Sequence, residues 1–347
     1  MEKKYLILGA IPIEGKPETF GGTTVLMKSL LDFVEKEKYN YSFVQLNKYS
    51  GKLSAVRNYI YVLFVFFIKV YRNDIIILNV ARKGAFLLSP VIFVFSKLFF
   101  KKVVFRIFGG NFQDLFENKY SYLKLLAKST FLKSDLLVFE TKQNINFLKS
   151  MGYENFFHLP NVRSKPNFEY LRTLHDYRRR FVFIGHVKKQ KGILDIIEAS
   201  RNLPDSFKID IYGPIKEQEI ISRVDKSSIV NYKGVLKPNN VIKTLAEYDV
   251  ILLPSYHEGE GHPGILIEGM SIGLPAISTN WKAIPEVIKE GYNGLLIPVK
   301  NPKLLQKAML EINDENYISF SKNALKKFDF FNDKNIYTNF FNHLNFL

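Results

Sequence analysis

The sequence predicts an α/β protein made of two Rossmann-like, doubly wound domains facing a central cleft. Two observations carry this. Short apolar runs alternate with longer helix-periodic stretches along nearly all of the 347 residues, the pattern of parallel strands joined by crossover helices. The alternation breaks once, over Asn161–Arg180, where Pro160, Pro166, scattered polar residues and Arg178–Arg179–Arg180 read as a linker. The length also suits two domains of ~100–200 residues each. A hydrophobic share of 47% rules out a disordered chain. The absence of cysteine rules out disulfides, thiolate metal sites and cysteine nucleophiles, and fits a reducing, cytoplasmic setting.

In the first half, strands are expected at Tyr5–Ile11, Tyr41–Leu46, Ile75–Val80, Val103–Phe108, Leu136–Glu140 and Phe156–Leu159. Helices fill the gaps at Gly22–Lys36, Ala55–Tyr71, Gly84–Phe99, Tyr122–Lys133 and Lys142–Met151. The opening apolar run follows two lysines, as in a leader peptide. It is short, contains Pro12 and lacks a cleavage-site pattern, so it reads as the first strand. The second half restarts with strands Phe181–Gly185, Lys208–Tyr212, Val230–Lys233, Val250–Pro254, Ala276–Ser278 and Gly294–Leu296. Helices alternate with them at Gly192–Arg201, Lys216–Asp225, Lys237–Glu247, from Gly264, Ile284–Lys289 and Pro302–Asn313. The expected domains are residues 1–173 and 174–325. The tail 326–347, rich in Phe, is expected to be helical and to pack back on the first domain.

The net charge is +16, which calls for an anionic partner: nucleic acid, an anionic membrane or a phosphorylated ligand. Residues 1–166 hold 25 Lys+Arg and 12 Asp+Glu; the remainder holds 24 and 21, so the excess lies in the first half. The two most apolar stretches, Tyr59–Val70 and Ala85–Phe100, lie there too. Each is short of the ~20 apolar residues that span a bilayer, so they are expected as buried helices or as helices lying in a membrane surface. No nucleic-acid motif accompanies the charge, and nucleic acid is not expected as a partner.

Four segments carry candidate chemistry. The richest is Pro254-Ser-Tyr-His-Glu-Gly-Glu-Gly-His-Pro-Gly-Ile-Leu-Ile-Glu-Gly-Met, between an apolar strand and an apolar helix. That is the carboxyl end of a strand, where open α/β sheets bind ligands. The helix opening near Gly264 presents unpaired N–H groups to an anion, while Glu260 and Glu268 suit sugar hydroxyls beside it. The plain structural alternative is an acidic loop complementing a helix dipole. In Gly185-His-Val-Lys-Lys-Gln-Lys-Gly192, Lys191 is placed to face phosphate oxygens, and His186 either bonds phosphate or caps the strand end. Gly21–Gly22 opens the first helix and permits close backbone approach to an anion, or is simply a turn. In Arg106-Ile-Phe-Gly-Gly-Asn-Phe-Gln-Asp114, Arg106, Asn111 and Asp114 either face a polyhydroxylated substrate or form a strand-to-helix turn.

In this order the segments resemble the GT4 family of retaining glycosyltransferases, which have the GT-B fold. The Glu-x7-Glu motif matches Glu260 and Glu268, the Gly-Arg-x4-Lys-Gly pattern matches Gly185, Lys191 and Gly192, and later matches are Pro285–Glu286 and Asn293–Gly294–Leu295. The resemblance implies a first domain that binds the acceptor and a second that binds a nucleotide-sugar donor, UDP-sugar ahead of GDP-sugar. It makes Glu268 the ribose ligand and gives the catalytic roles to Glu260 and Lys191. The diphosphate falls to Gly21, Gly22, His186, Lys191 and the Gly261, His262, Pro263, Gly264 and Ile265 turn; the acceptor falls to Arg106, Gly109, Gly110, Asn111 and Asp114. No further cofactor is implied and, without an Asp-x-Asp motif, no metal. His186 departs from the family's usual Arg, which weakens the positive clamp or ties it to pH; a family histidine near the Gly-Gly turn is also missing. The closest likeness is to bacterial transferases that build capsule, O-antigen or exopolysaccharide. That likeness, with the basic and apolar first half, leads to an expected saccharide or lipid-linked acceptor and peripheral attachment to the inner face of the cytoplasmic membrane. Alternatives are a nucleotide-sugar epimerase or phosphorylase of the same fold, a basic nucleic-acid-binding protein and a non-catalytic scaffold.

Overall fold

In the computed structural model, which describes residues 3–347 apart from 17, 18, 20, 52, 82–84, 167–176 and 225–228, the strands form two six-stranded sheets paired in parallel throughout. The chain divides into two units, Met1–Asn161 with Asp333–Leu347, and Val162–Asn332.

The first unit runs β1 (Tyr5–Gly9), α1 (Gly22–Lys36), β2 (Tyr41–Gln45), α2 (Ser54–Lys69), β3 (Ile75–Val80), α3 (Ser89–Leu98), β4 (Lys102–Ile107), α4 (Phe112–Glu117), α5 (Ser121–Ser129), β5 (Leu136–Phe139), α6 (Lys142–Ser150) and β6 (Phe156–His158). Its strand order is β2-β1-β3-β4-β5-β6. The second unit runs β7 (Arg180–Ile184), α7 (Ile193–Ser200), β8 (Lys208–Tyr212), α8 (Ile221–Val224), β9 (Val230–Tyr232), α9 (Val241–Leu245), β10 (Val250–Leu253), α10 (Gly264–Met270), β11 (Ala276–Thr279), α11 (Ile284–Val287), β12 (Gly294–Ile297), α12 (Pro302–Glu311) and α13 (Asp314–Phe328). Its order is β12-β11-β10-β7-β8-β9. The last helix, α14 (Asp333–Leu344), returns to the first unit.

Both sheets are buried on two faces, which is why their strands read as continuous apolar runs rather than alternating ones. In the first unit, Leu6, Leu8, Leu78 and Phe105 pack one face against Val62 and Phe66 of α2, Ile92 of α3 and Leu148 of α6. The other face meets α1 and α14 through an aromatic cluster. Tyr5 and Phe341 meet edge-on at 5.2 Å, Tyr39 and Phe341 lie 4.4 Å apart, and Phe33 and Tyr337 lie 5.3 Å apart. Aromatic pairs of this kind add ~0.5–1.5 kcal/mol beyond the area they bury.

The unit boundaries fall at 161/162 and 332/333, not at 173/174 and 325/326. Val162 is buried, the Arg163 N–H donates to the Phe331 carbonyl at 3.0 Å, and Phe328 and Phe331 are buried in the second core. These contacts hold both crossing segments in the second unit. The remainder of the expected linker, 167–176, lies outside the described residues. A 3₁₀ turn at Asp329–Phe331 breaks the tail into α13 and α14. The helix expected at Lys237–Glu247 opens as a 3₁₀ turn at Pro238–Asn240, because proline at that position supplies a fixed φ but no N–H.

The segment Ser54–Arg72, α2 with the turn after it, is long and apolar enough by length and composition alone to cross a membrane. The helix begins at Ser54, one residue before the expected Ala55. Its inner side buries Val62, Phe66 and Val70, while Val56, Ile60, Phe64 and Ile68 stand exposed at every fourth position.

Candidate functional site

The second sheet changes direction between β7 and β10, which lie side by side with Phe181 opposite Val250 and Val182 opposite Ile251. Strands β8 and β9 continue to one side of β7, and β11 and β12 to the other side of β10. The connections leaving the carboxyl ends of β7 and β10 therefore part in opposite directions, and a crevice is left at that switch point. The two loops singled out in the sequence, 185–192 and 254–263, both emerge there.

Contacts at Gln190 hold these loops together: Tyr256 N–H donates to the Gln190 carbonyl at 2.9 Å and His257 Nδ1 lies 3.0 Å from Gln190 Oε1, while Trp281 Nε1–H, from beyond β11, donates to the His257 carbonyl at 3.0 Å. Gly192 makes the approach possible. Its φ is +78°, and a Cβ there would sit 2.2 Å from the Pro254 carbonyl oxygen, so any side chain would force the loops apart.

At the centre is a carboxylate almost closed off from water. Glu260 is 6% exposed; Lys191 Nζ donates to both of its oxygens, at 2.9 and 2.6 Å, and Ser255 Oγ donates to Oε2. An ion pair this deep is kept by geometry, because each charge alone would carry a large desolvation cost. Lys191 is thus committed to Glu260 in the ligand-free protein, not extended alone as the sequence suggests. This removes an electrostatic difficulty: an anion entering beside Glu260 meets a carboxylate whose charge is already balanced.

The second carboxylate has a cation of its own. Glu268, on α10, accepts from Arg163 Nε at 2.6 Å, with the two side chains 23% and 15% exposed. Arg163 also donates from Nη1 to the Val162 carbonyl at 2.8 Å. Nothing in the sequence singles it out, since it lies 105 positions from Glu268 inside a stretch that reads as linker.

His186 is exposed at the end of β7. Burial within its loop, then Lys216, Lys188 and Lys191 nearby, pull its pKa below the ordinary 6.5, so it is neutral at pH 7. His262 is expected to act through its backbone amide, and its side chain is buried away, with Nε2 3.1 Å from Glu286 Oε2 and its ring edge-on to Phe331 at 5.7 Å. Pro263 and Gly261 are buried, and Gly264 and Ile265 open α10 half-buried.

The expected acceptor-side and glycine-turn residues all lie in the first unit. Gly21 and Gly22 are exposed at the start of α1 with open space around them, but the Gly21 N–H already donates to Thr24 Oγ1 at 3.0 Å. Arg106 is only 2% exposed, which corrects its expected place on a substrate-facing surface. Its register opposite Asn79 of β3 turns it inward, where its guanidinium lies 4.5 Å from the Phe108 ring. Burial lowers its pKa, against the pull of Tyr337 and Glu140. The following loop is pinned from below: Gly109 N–H donates to Glu140 Oε2 at 3.1 Å, and Asn144 Nδ2 donates to the Gly109 carbonyl at 3.1 Å. Gly110 and Asn111 are buried, and Asp114 is half-buried in the first turn of α4.

Residues 178–315 match the family described as glycosyl transferases group 1. An uncharacterised glycosyltransferase of Methanocaldococcus jannaschii is 25% identical over 75% of this chain and 73% of its own length. The amylovoran biosynthesis glycosyltransferase AmsK of Erwinia amylovora is 29% identical over 39% of this chain and 36% of its own. Among solved structures, Anabaena HepE in complex with UDP and glucose aligns with a TM-score of 0.72 at 14% identity, covering the whole of both chains. Sucrose-phosphate synthase of Thermosynechococcus elongatus aligns with a TM-score of 0.76 at 14% identity, covering 99% and 98%. The chain has the GT-B fold, and the part of its second unit from 178 to 315 is similar to glycosyl transferases group 1.

The buried pair is open to a direct energetic test. Glu260→Ala leaves the Lys191 ammonium desolvated without a partner and should destabilise the second unit by about 3–5 kcal/mol. Lys191→Met should cost a comparable amount, and the double substitution less than the two losses summed. Denaturant unfolding of the four proteins measures the coupling; additive losses would show that the pair is not a unit.

Proposed function

We propose that the protein is a retaining glycosyltransferase. It moves a sugar from a nucleotide-diphosphate donor, UDP-sugar ahead of GDP-sugar, to a hydroxyl of a saccharide acceptor in bacterial surface polysaccharide biosynthesis. The observation that carries this is the buried Glu260, charge-balanced by Lys191 at the β7/β10 switch point, with Glu268 presented from the helix that follows. Two carboxylates suit a polyhydroxylated ligand, and the balancing lysine lets a diphosphate lie beside them. The likeness to HepE, whose solved complexes contain UDP, UDP-glucose, or UDP and glucose, supports a uridine nucleotide.

In the proposed reaction the bond from the anomeric carbon to the diphosphate breaks with its electron pair passing to the phosphate oxygen. The acceptor hydroxyl oxygen bonds to that carbon on the same face, and its proton passes to the departing phosphate. The sugar becomes oxocarbenium-like as the diphosphate gains charge. Lys191 stabilises that charge with the backbone amides of residues 261, 262, 264 and 265, a preorganised electrostatic contribution. Glu260 accepts from donor-sugar hydroxyls, and Glu268 from the ribose. The saccharide acceptor is assigned to the loop 108–114 of the first unit, with Arg106 supporting it from within.

A panel of nucleotide sugars read by calorimetry should show one UDP- or GDP-sugar binding in clear preference to the rest. With that donor, Lys191→Ala should lower turnover by about 10²–10³-fold, the effect of removing one preorganised donor. Glu268→Ala should chiefly weaken donor binding. Near wild-type transfer by both variants would overturn the site assignment.

His186 adds a pH dependence with a defined sign. It is neutral at pH 7, so lowering the pH through its depressed pKa adds a positive charge at the end of β7. Nucleotide-sugar affinity should therefore rise as the pH is lowered below neutrality. His186→Ala should flatten the profile, and His186→Arg should give the tight value at every pH.

We further propose that the first unit rests on an anionic lipid surface, at the inner face of the cytoplasmic membrane, where a lipid-linked acceptor would be held. Support comes from apolar residues exposed on helices that cover one face of one sheet: Ile60 and Phe64 of α2, Val94 and Leu98 of α3, Leu125 of α5. Phe67 and Phe95 join α2 to α3, with ring centroids 4.6 Å apart. Exposed Arg57, Arg72 and Lys128 flank them, and each basic group near such a surface contributes ~1 kcal/mol. Co-sedimentation should show binding to vesicles containing phosphatidylglycerol, little to pure phosphatidylcholine, and release by Ile60→Glu with Phe64→Glu. Equal binding to both vesicles, or to neither, would remove this proposal.

A further inference from the structure

We infer that Arg163 is the positioning residue for the nucleotide ribose, acting through Glu268, and that Gly264 is glycine in order to admit it. The inference rests on the assignment of Glu268 to the ribose and adds a residue from outside the matched domain, which begins at 178.

The geometry has three parts. Arg163 Nε donates to Glu268 Oε1 at 2.6 Å, so one carboxylate oxygen is anchored and the other is left at a fixed angle to accept from a hydroxyl. The guanidinium lies against the start of α10: a Cβ on Gly264 would stand 1.8 Å from Nη2 and 2.8 Å from Cζ, so a side chain at 264 would push the guanidinium from this position. Finally, the main chain from which Arg163 projects is fixed: its N–H donates to the Phe331 carbonyl and it forms a parallel bridge with Asn332, where the chain enters and leaves the second unit.

A glutamate on a helix has three rotatable bonds, and an unanchored carboxylate would lose that freedom on each binding event. Anchoring it beforehand moves that cost into folding, which is the general advantage of preorganisation. Glu268 fixed in this way distinguishes a ribose from a deoxyribose because a missing hydroxyl leaves the carboxylate oxygen unpaired.

The test compares affinity for UDP with that for 2′-deoxy-UDP and 3′-deoxy-UDP, by calorimetry on the full chain, with the GDP series run alongside. Wild type should prefer at least one ribonucleotide over one of its deoxy forms by roughly 10- to 100-fold, the range of one charge-assisted hydrogen bond. Arg163→Ala, Arg163→Lys and Gly264→Ala should each reduce that preference to within about threefold, because each removes or displaces the Nε donor. A merely structural role would weaken ribo and deoxy ligands alike and leave the ratio intact. If Arg163→Ala fails to fold, Gly264→Ala decides, since it keeps every functional group and only shifts the guanidinium. Preserved preference in Arg163→Ala or Gly264→Ala, with preference lost in Glu268→Ala, overturns the role of Arg163 while the ribose assignment stands. Absence of any preference in wild type, or its survival in Glu268→Ala, overturns the ribose assignment and the role of Arg163 with it.

Discussion

The site in the second unit depends on one buried ion pair. Glu260 and Lys191 come from loops 69 positions apart in sequence, and they meet because β7 and β10 are neighbours in the sheet. Each charge is tolerable in the interior only because the other is present, so neither loop can adopt its shape alone. Ser255 completes the carboxylate's shell, and Thr279 in turn donates to the Ser255 carbonyl, which extends the constraint to β11. Gly192 is the steric counterpart of this electrostatic constraint, because only a residue without a Cβ lets the loops close to that distance.

The same logic recurs at Glu268. Both carboxylates of the site carry a basic partner from a distant part of the chain, so neither stands there as an uncompensated negative charge. His186 differs, since burial within its loop, and then Lys216, Lys188 and Lys191, disfavour its protonation. The overall surplus of +16 lies elsewhere, mostly in the first half of the chain and near the exposed apolar helices.

Much of the fold was legible because both sheets are buried on two faces. Runs such as Ile75–Val80, all six residues buried, have no other stable home than the middle of a parallel sheet, and helix periodicity between the runs leaves one connection type. Glu260, Glu268 and Lys191 could be picked out as candidates as well, Glu260 and Lys191 from glycines that mark a strand end and Glu268 from the helix that follows. Arg106 and Arg163 were not. The first looked like a ligand group beside a strand end, yet it is buried at its register position opposite Asn79. Arg163 gave no local signal, because its importance comes entirely from a partner 105 positions away.

The sequence by itself determined the alternation of strands and helices, the number of sheets, the two acidic positions eight residues apart and the uneven distribution of charge. These follow from composition and from periodicities of two and 3.6, which act over a few residues. Only the tertiary structure decided strand order, and with it the switch point that brings two loops together. It also decided which cation balances which carboxylate, and where the chain passes between units. Such choices depend on distances between residues far apart in the chain. They are settled by the cost of leaving a buried charge or backbone group without a partner, a cost that exists only once the core has formed.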